Sequence, residues 1–174
     1  MRRLLVILLM LAAASAFAQG PRPSPKPEDV KSIDSIIAAL YSSVSDPAGT
    51  KQDWDRFRSL FTQGARLIAV GAHEDDAIIH GVTPEEYVKL SGPYIEQNGF
   101  TEKELARKTD QFANIAQVFS TYESRIKTSG AKPLQRGINQ IQLFNDGKRW
   151  WIVSVFWQDE TEENPLPAKY LPGG

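Results

Sequence analysis

The two histidines lie close together in the chain. His73 opens His73-Glu74-Asp75-Asp76-Ala77, which begins like the zinc-protease motif H-E-x-x-H but has alanine at the second ligand position. The segment reads instead as a solvated acidic hairpin turn, and no metal or other cofactor is assigned. A metal held by His73, His80 and Asp75 or Asp76 across that hairpin is the competing reading. His80 ends a strand just before Gly81 and a capped helix, where a side chain can face the mouth of a folded sheet. Imidazole takes up and releases protons near neutral pH, so His80 is the candidate general base. A histidine hydrogen-bonded at a strand end is the plainer alternative.

A second group of residues suits binding. Tyr41, Trp54, Phe57 and Tyr87 fall on the apolar faces of three helices, and they can line a pocket and present hydroxyls to a ligand or simply pack. Asn114, Tyr122, Asn139, Gln140 and Gln142 are polar residues within otherwise apolar strands. If buried they need partners, which a polar-lined pocket or a wet interface supplies. Of these, Asn114, Tyr122, Asn139 and Gln142 join the expected pocket lining. Glu123 and Arg125 share a strand face and read as a structural pair. The sequence has no G-x-S-x-G elbow, no phosphate-binding glycine loop and no dinucleotide fingerprint.

The elements that must position these residues follow from periodicity. Pro27, Glu28 and Asp29 suit a helix start, and Ile33, Ile36, Ile37, Leu40, Tyr41 and Val44 repeat at helical spacing. Asp53 caps a short second helix burying Trp54, Phe57, Leu60 and Phe61. The period then becomes two over 65–70 and 77–82. Thr83-Pro84-Glu85-Glu86 is a capping box for a third helix, whose apolar face is expected to carry Tyr87, Leu90 and Tyr94 and which Gly92-Pro93 kinks or breaks. Residues 100–110 look like a polar edge strand. Long strands follow over 112–127, 134–144 and 149–158, the last two joined by the turn Asn145-Asp146-Gly147-Lys148. In the last strand Trp150, Ile152 and Phe156 alternate with Trp151, Val153, Val155 and Trp157. Both faces are therefore apolar, and the second needs a partner, most simply another copy of the chain.

Composition bounds the class. The 174 residues contain no cysteine, which excludes disulfides, thiolate metal sites and a cysteine nucleophile. Residues 1–18 read as a signal peptide: Arg2 and Arg3, an apolar run from Leu4 to Ala14, and Ala16-Phe17-Ala18 before a cleavage point between Ala18 and Gln19. The run is too short to span a bilayer. Its removal takes 2 of the 20 basic residues and no acidic one, so formal charge moves from −1 to −3, against a nucleic-acid partner. Export to the periplasm or the medium is expected. Residues 19–27 form a proline-rich linker, 28–159 the domain, and 160–174 an extended tail running loosely over the surface.

Val118 to Arg125, Arg136 to Leu143 and Asp146 to Ser154 resemble the final three strands of the nuclear transport factor 2-like superfamily, in its SnoaL-like branch. The resemblance spans about Glu28 to Asp159. It implies an α+β cone: a strongly curved antiparallel sheet around a pocket, with three helices in the N-terminal half, commonly dimerising through the sheet. Members include ketosteroid isomerase, scytalone dehydratase, limonene epoxide hydrolase and pure binding modules, so the fold alone does not choose a reaction. Catalytic members place an aspartate or histidine base inside the cone. Here the long strands carry asparagine, glutamine and serine, which favours a homodimer that binds a small, partly apolar ligand without transforming it. The alternative is a lyase, isomerase or hydrolase acting on a polyketide- or steroid-like substrate. His80 would be its base, with Tyr41 or Tyr87 donating to an oxyanion.

Overall fold

A computed structural model describes residues 22–73, 76–130 and 132–174. The expected signal peptide and its cleavage point lie outside the described residues, as do Glu74 and Asp75 of the hairpin tip. The predicted first helix is two: α1 (Pro27–Val30) and α2 (Ile33–Ser42). Ser32 separates them because its side chain accepts from the Ser35 N–H and starts a new helix. Asp29, buried in α1, receives two hydrogen bonds from Arg56, at 2.7 and 2.9 Å. That guanidinium holds the Asp29 carboxyl below the usual range. The pair ties α1 to α3 (Trp54–Ser59), which Asp53 caps through the Arg56 N–H.

The capping box at Thr83 is formed in full and starts α4 (Pro84–Asn98). This helix runs through Pro93 rather than breaking there, and its buried residues are Val88, Gly92 and Ile95. Leu90 and Tyr94, expected on the core face, are 68% and 52% exposed. The face turned inward packs on α3 instead, with Gly92 against the Trp54 ring.

Six strands form one curved, mixed sheet that does not close into a barrel: β1 (Phe61–His73), β2 (Asp76–Val82), β3 (Thr101–Phe112), β4 (Ile115–Arg125), β5 (Gln135–Asn145) and β6 (Trp150–Asp159). Their order is β2-β1-β6-β5-β4-β3. All neighbours are antiparallel except β1 and β6, which run parallel. The core fills the concave side: Ile36, Ile37 and Phe57 from the helices meet Val118, Ile141, Leu143 and Ile152 from the sheet.

Two bulges set which residues face inward. In β6, Gln142 pairs with Ser154 while Leu143 pairs with Ile152, so Val153 is an extra residue. The inward set is therefore Trp150, Ile152, Val155 and Trp157, and Phe156 faces out, which corrects the simple alternation expected for this strand. In β3, Glu104 pairs with Tyr122 and Ala106 with Thr121, leaving Leu105 extra.

The tail is not loose. Arg136 holds Glu160 through two hydrogen bonds, at 2.5 and 2.9 Å. A short 3-10 turn, Ala168–Tyr170, then lies across the outer face of β4. The Tyr170 ring packs 5.5 Å from that of Phe119, and its carbonyl accepts from Thr121 at 2.5 Å. Thr121, on the outer face, is consequently 1% exposed. Among the described residues no helix is long and apolar enough to cross a membrane.

Candidate functional site

Between the helices and the concave sheet lies a half-open cavity of about 140 Å³. Its apolar wall comes from Leu40 and Val44 of α2, Phe57 of α3, Leu67 of β1, Phe100, and Val155 and Trp157 of β6. Its polar end comes from Tyr41, Tyr87, Glu102, Tyr122, Ser124, Gln135, Asn139 and Asp159.

Strand pairing brings these polar groups together. Partners in adjacent strands share a face, so Glu102 lies opposite Ser124, Tyr122 opposite Gly137, and Gly137 opposite Asp159. Gly137 is required there. A Cβ at that position would stand 2.7 Å from the Tyr122 hydroxyl and 2.3 Å from the Gln158 carbonyl. The space it leaves lets the Tyr122 hydroxyl donate to the Asp159 carboxylate, whose other oxygen accepts from Gln135 at 2.5 Å. Ser45 fixes the backbone of Glu102: the Glu102 N–H donates to its hydroxyl at 2.9 Å, and that hydroxyl lies 2.6 Å from the Tyr41 carbonyl.

A directed hydrogen-bond chain runs from Glu102 into the wall. The Asn139 amide donates to the Glu102 carboxyl at 3.0 Å and to the Tyr41 hydroxyl at 3.1 Å. Ser120 donates to Glu104 at 2.6 Å, so the 2.7 Å contact between Tyr41 and Ser120 is a donation by the tyrosine. Glu104 and Asp34 in turn pair with Arg107, at 3.4 and 3.0 Å. Glu102 has no such cation among the described residues. Burial raises its carboxyl from an ordinary 4.5 to about 7. The charge of Asp159 adds to the rise, and the Asn139 hydrogen bond opposes it. Burial first, and then nearby carboxylates, keep the hydroxyls of Tyr41, Tyr87 and Tyr122 protonated far above the usual phenol range; for Tyr122 the bond to Asp159 adds to this. The Tyr41 and Tyr122 hydroxyls are engaged. The Tyr87 hydroxyl makes no hydrogen bond among the described residues, while its ring stacks on Phe57 at 5.5 Å.

The cavity brings together Tyr41, Phe57, Tyr87, Tyr122 and Asn139 from the residues singled out in the sequence. Trp54 lies outside it, its indole N–H donating to Glu96 of α4 at 2.9 Å. Asn114 sits in the β3–β4 turn. Gln142 faces outward, lining a groove on the other side of the sheet with Phe112, Ile115, Phe144 and Val153. His80 pairs with Ala69 on the edge strand β2, where it shares the concave face but is exposed and does not line the cavity. Glu123 and Arg125 do pair, at 3.0 Å.

The site's central carboxyl, Glu102, was not singled out. Its strand is charged on both faces, and nothing in a run of Glu, Lys and Arg marks one member as inward. The available signal was Glu102 and Glu104 at spacing two with Lys103 between them, which puts both carboxylates on one face.

No family model and no curated protein sequence matches the chain. Solved structures do, at low identity. A protein of unknown function from Mycobacterium tuberculosis is 13% identical, with a TM-score of 0.58 over 78% of this chain and 75% of that one. A putative ketosteroid isomerase from Parabacteroides distasonis is 11% identical, with a TM-score of 0.52 over 78% and 98%. An NTF2-like protein of unknown function from Shewanella baltica is 16% identical, with a TM-score of 0.50 over 75% and 92%. The fold is the NTF2-like cone.

Proposed function

We propose that the chain binds a compact, partly apolar molecule in the cone and exchanges a proton with it, with Glu102 as the acid–base group. The observation that carries this is a carboxyl lining the cavity, with no counter-cation among the described residues, which burial pushes up to about 7. A group poised there serves as base and as acid at working pH. Asn139 orients one of its oxygens, and the unengaged Tyr87 hydroxyl is the donor for an oxygen that gains charge as a proton leaves carbon. The lack of a buried carboxylate, which favoured a binder without chemistry, no longer holds. Size narrows the substrate too. A half-open cavity of about 140 Å³ holds about one small ring, and a larger molecule would reach out through its mouth.

The test is proton exchange itself. Cyclohexanone in deuterated buffer near neutral pH should lose its α-protons faster with the protein than without it, and Glu102→Gln should remove most of the gain. Equal exchange by a folded Glu102→Gln variant would sink the reading. Two further parts rest on separate features. Export is supported by the character of residues 1–18, and N-terminal sequencing of the mature protein should find Gln19 first. Homodimerisation through the outer sheet face is supported by Phe112 and Ile115, which are 80% and 60% exposed.

A further inference from the structure

We propose that the cone also takes a small cationic amine in competition with a neutral proton-exchange substrate, its ring against the aromatic wall and its ammonium group between Glu102 and Asp159; this rests on the cavity being a ligand site. Two carboxyl-bearing side chains face the cavity, and no lysine, arginine or histidine lines it. Neither carboxyl has a salt bridge among the described residues, whereas nearby Glu104 is paired with Arg107. Once Glu102 is ionised, an anionic ligand would be repelled by both carboxylates and a neutral one would leave them without a countercharge. A cation supplies it.

Independent features of the cavity point the same way. Rings of Phe57, Tyr87, Phe100 and Trp157 line one half-open space and supply an apolar wall for the ligand's ring. The Tyr87 and Asn139 side chains add neutral polar contacts. The Asp159 oxygens already accept from Tyr122 and Gln135, yet a carboxylate has capacity for further donors. The volume of about 140 Å³ suits one six-membered ring with a single substituent.

The interaction depends on pH through Glu102. The groups facing it are Tyr41 from α2, Tyr87 from α4, Glu104 on its own strand, Tyr122 from β4 and Asp159 from β6; the phenols stay neutral throughout. Raising pH through about 7 ionises Glu102 and should strengthen amine binding.

Three probes of one shape separate the outcomes: cyclohexylamine, cyclohexanol and cyclohexanecarboxylate, titrated calorimetrically into the mature protein at about pH 8. The amine should bind at least about tenfold tighter than the alcohol, and the carboxylate weakest. Glu102→Gln should cost the amine about tenfold while changing the alcohol less than about threefold. Near pH 6 the parent should approach the variant. Asp159→Asn supplies a second loss should Glu102→Gln fail to fold. Alcohol binding as tight as amine binding overturns the cationic ligand and leaves the cavity reading standing. Absence of binding by all three overturns both.

Discussion

The two faces of this one sheet are built on different terms. On the concave face β1, β4, β5 and β6 build one apolar core, and the polar groups lining the cavity are gathered at one end and, apart from Tyr87, hydrogen-bonded among the described residues. On the outer face the chain covers only part of its own apolar surface. Tyr170 and the tail close over Phe119 and Thr121, while Phe112, Ile115, Phe144 and Val153 remain open. The inner face spends its burial on a fixed cavity. The outer face leaves a surface whose cover is another molecule or water.

If that contrast is right, inward and outward substitutions should separate by size. Phe57→Ala removes a ring that is 1% exposed and packed on Trp54, Phe61 and Tyr87. It should lose about 3–5 kcal/mol in urea unfolding. Next comes the pH dependence set by Glu102. Its folded-state pKa is raised, so between about 4.5 and 7 the folded chain binds more protons than the unfolded one. Its contribution therefore falls as pH rises through that window. Glu102→Gln should flatten the curve and be the more stable protein at about pH 8, by about 1–3 kcal/mol. An unchanged slope would mean that the carboxyl is not held as described.

The outer-face changes should be smaller. Tyr170→Ala should cost about 1 kcal/mol by loosening the tail from Phe119, with an increase in dye binding to apolar surface. Phe112→Ser should move monomer stability by no more than about 0.5 kcal/mol, yet it should weaken a dimer measured by sedimentation. A Phe112→Ser protein that loses several kcal/mol would break the contrast outright.

How much of this was legible depended on phase. The capping box, the cap at Asp53 and the edge position of the strand expected over 100–110 follow from spacing and turn chemistry. Asn139 and Gln142 are three residues apart on one strand, so strict alternation already forbids them the same face. The inward set of β6 was not readable, because one extra residue at Val153 reverses the alternation and both faces are apolar. Trp54 belonged to a helix face correctly read as apolar, but Glu96 on another element takes its indole N–H outside the cavity. Glu102 was hidden because an edge strand crowded with charge looks solvated throughout.

The parallel pairing of β1 with β6 also sets a schedule. Strand β6 fills the middle of the sheet, and it joins Phe61–Ala69 to Ile152–Trp157 across nearly the whole domain. Contacts so distant along the chain form slowly, because a large loop must close before they return any stabilisation. Val155, Trp157 and Asp159 all come from that last strand. A chain still being made therefore lacks the cavity until β6 has been added. The cavity comes into being only when nearly all of the domain has been made.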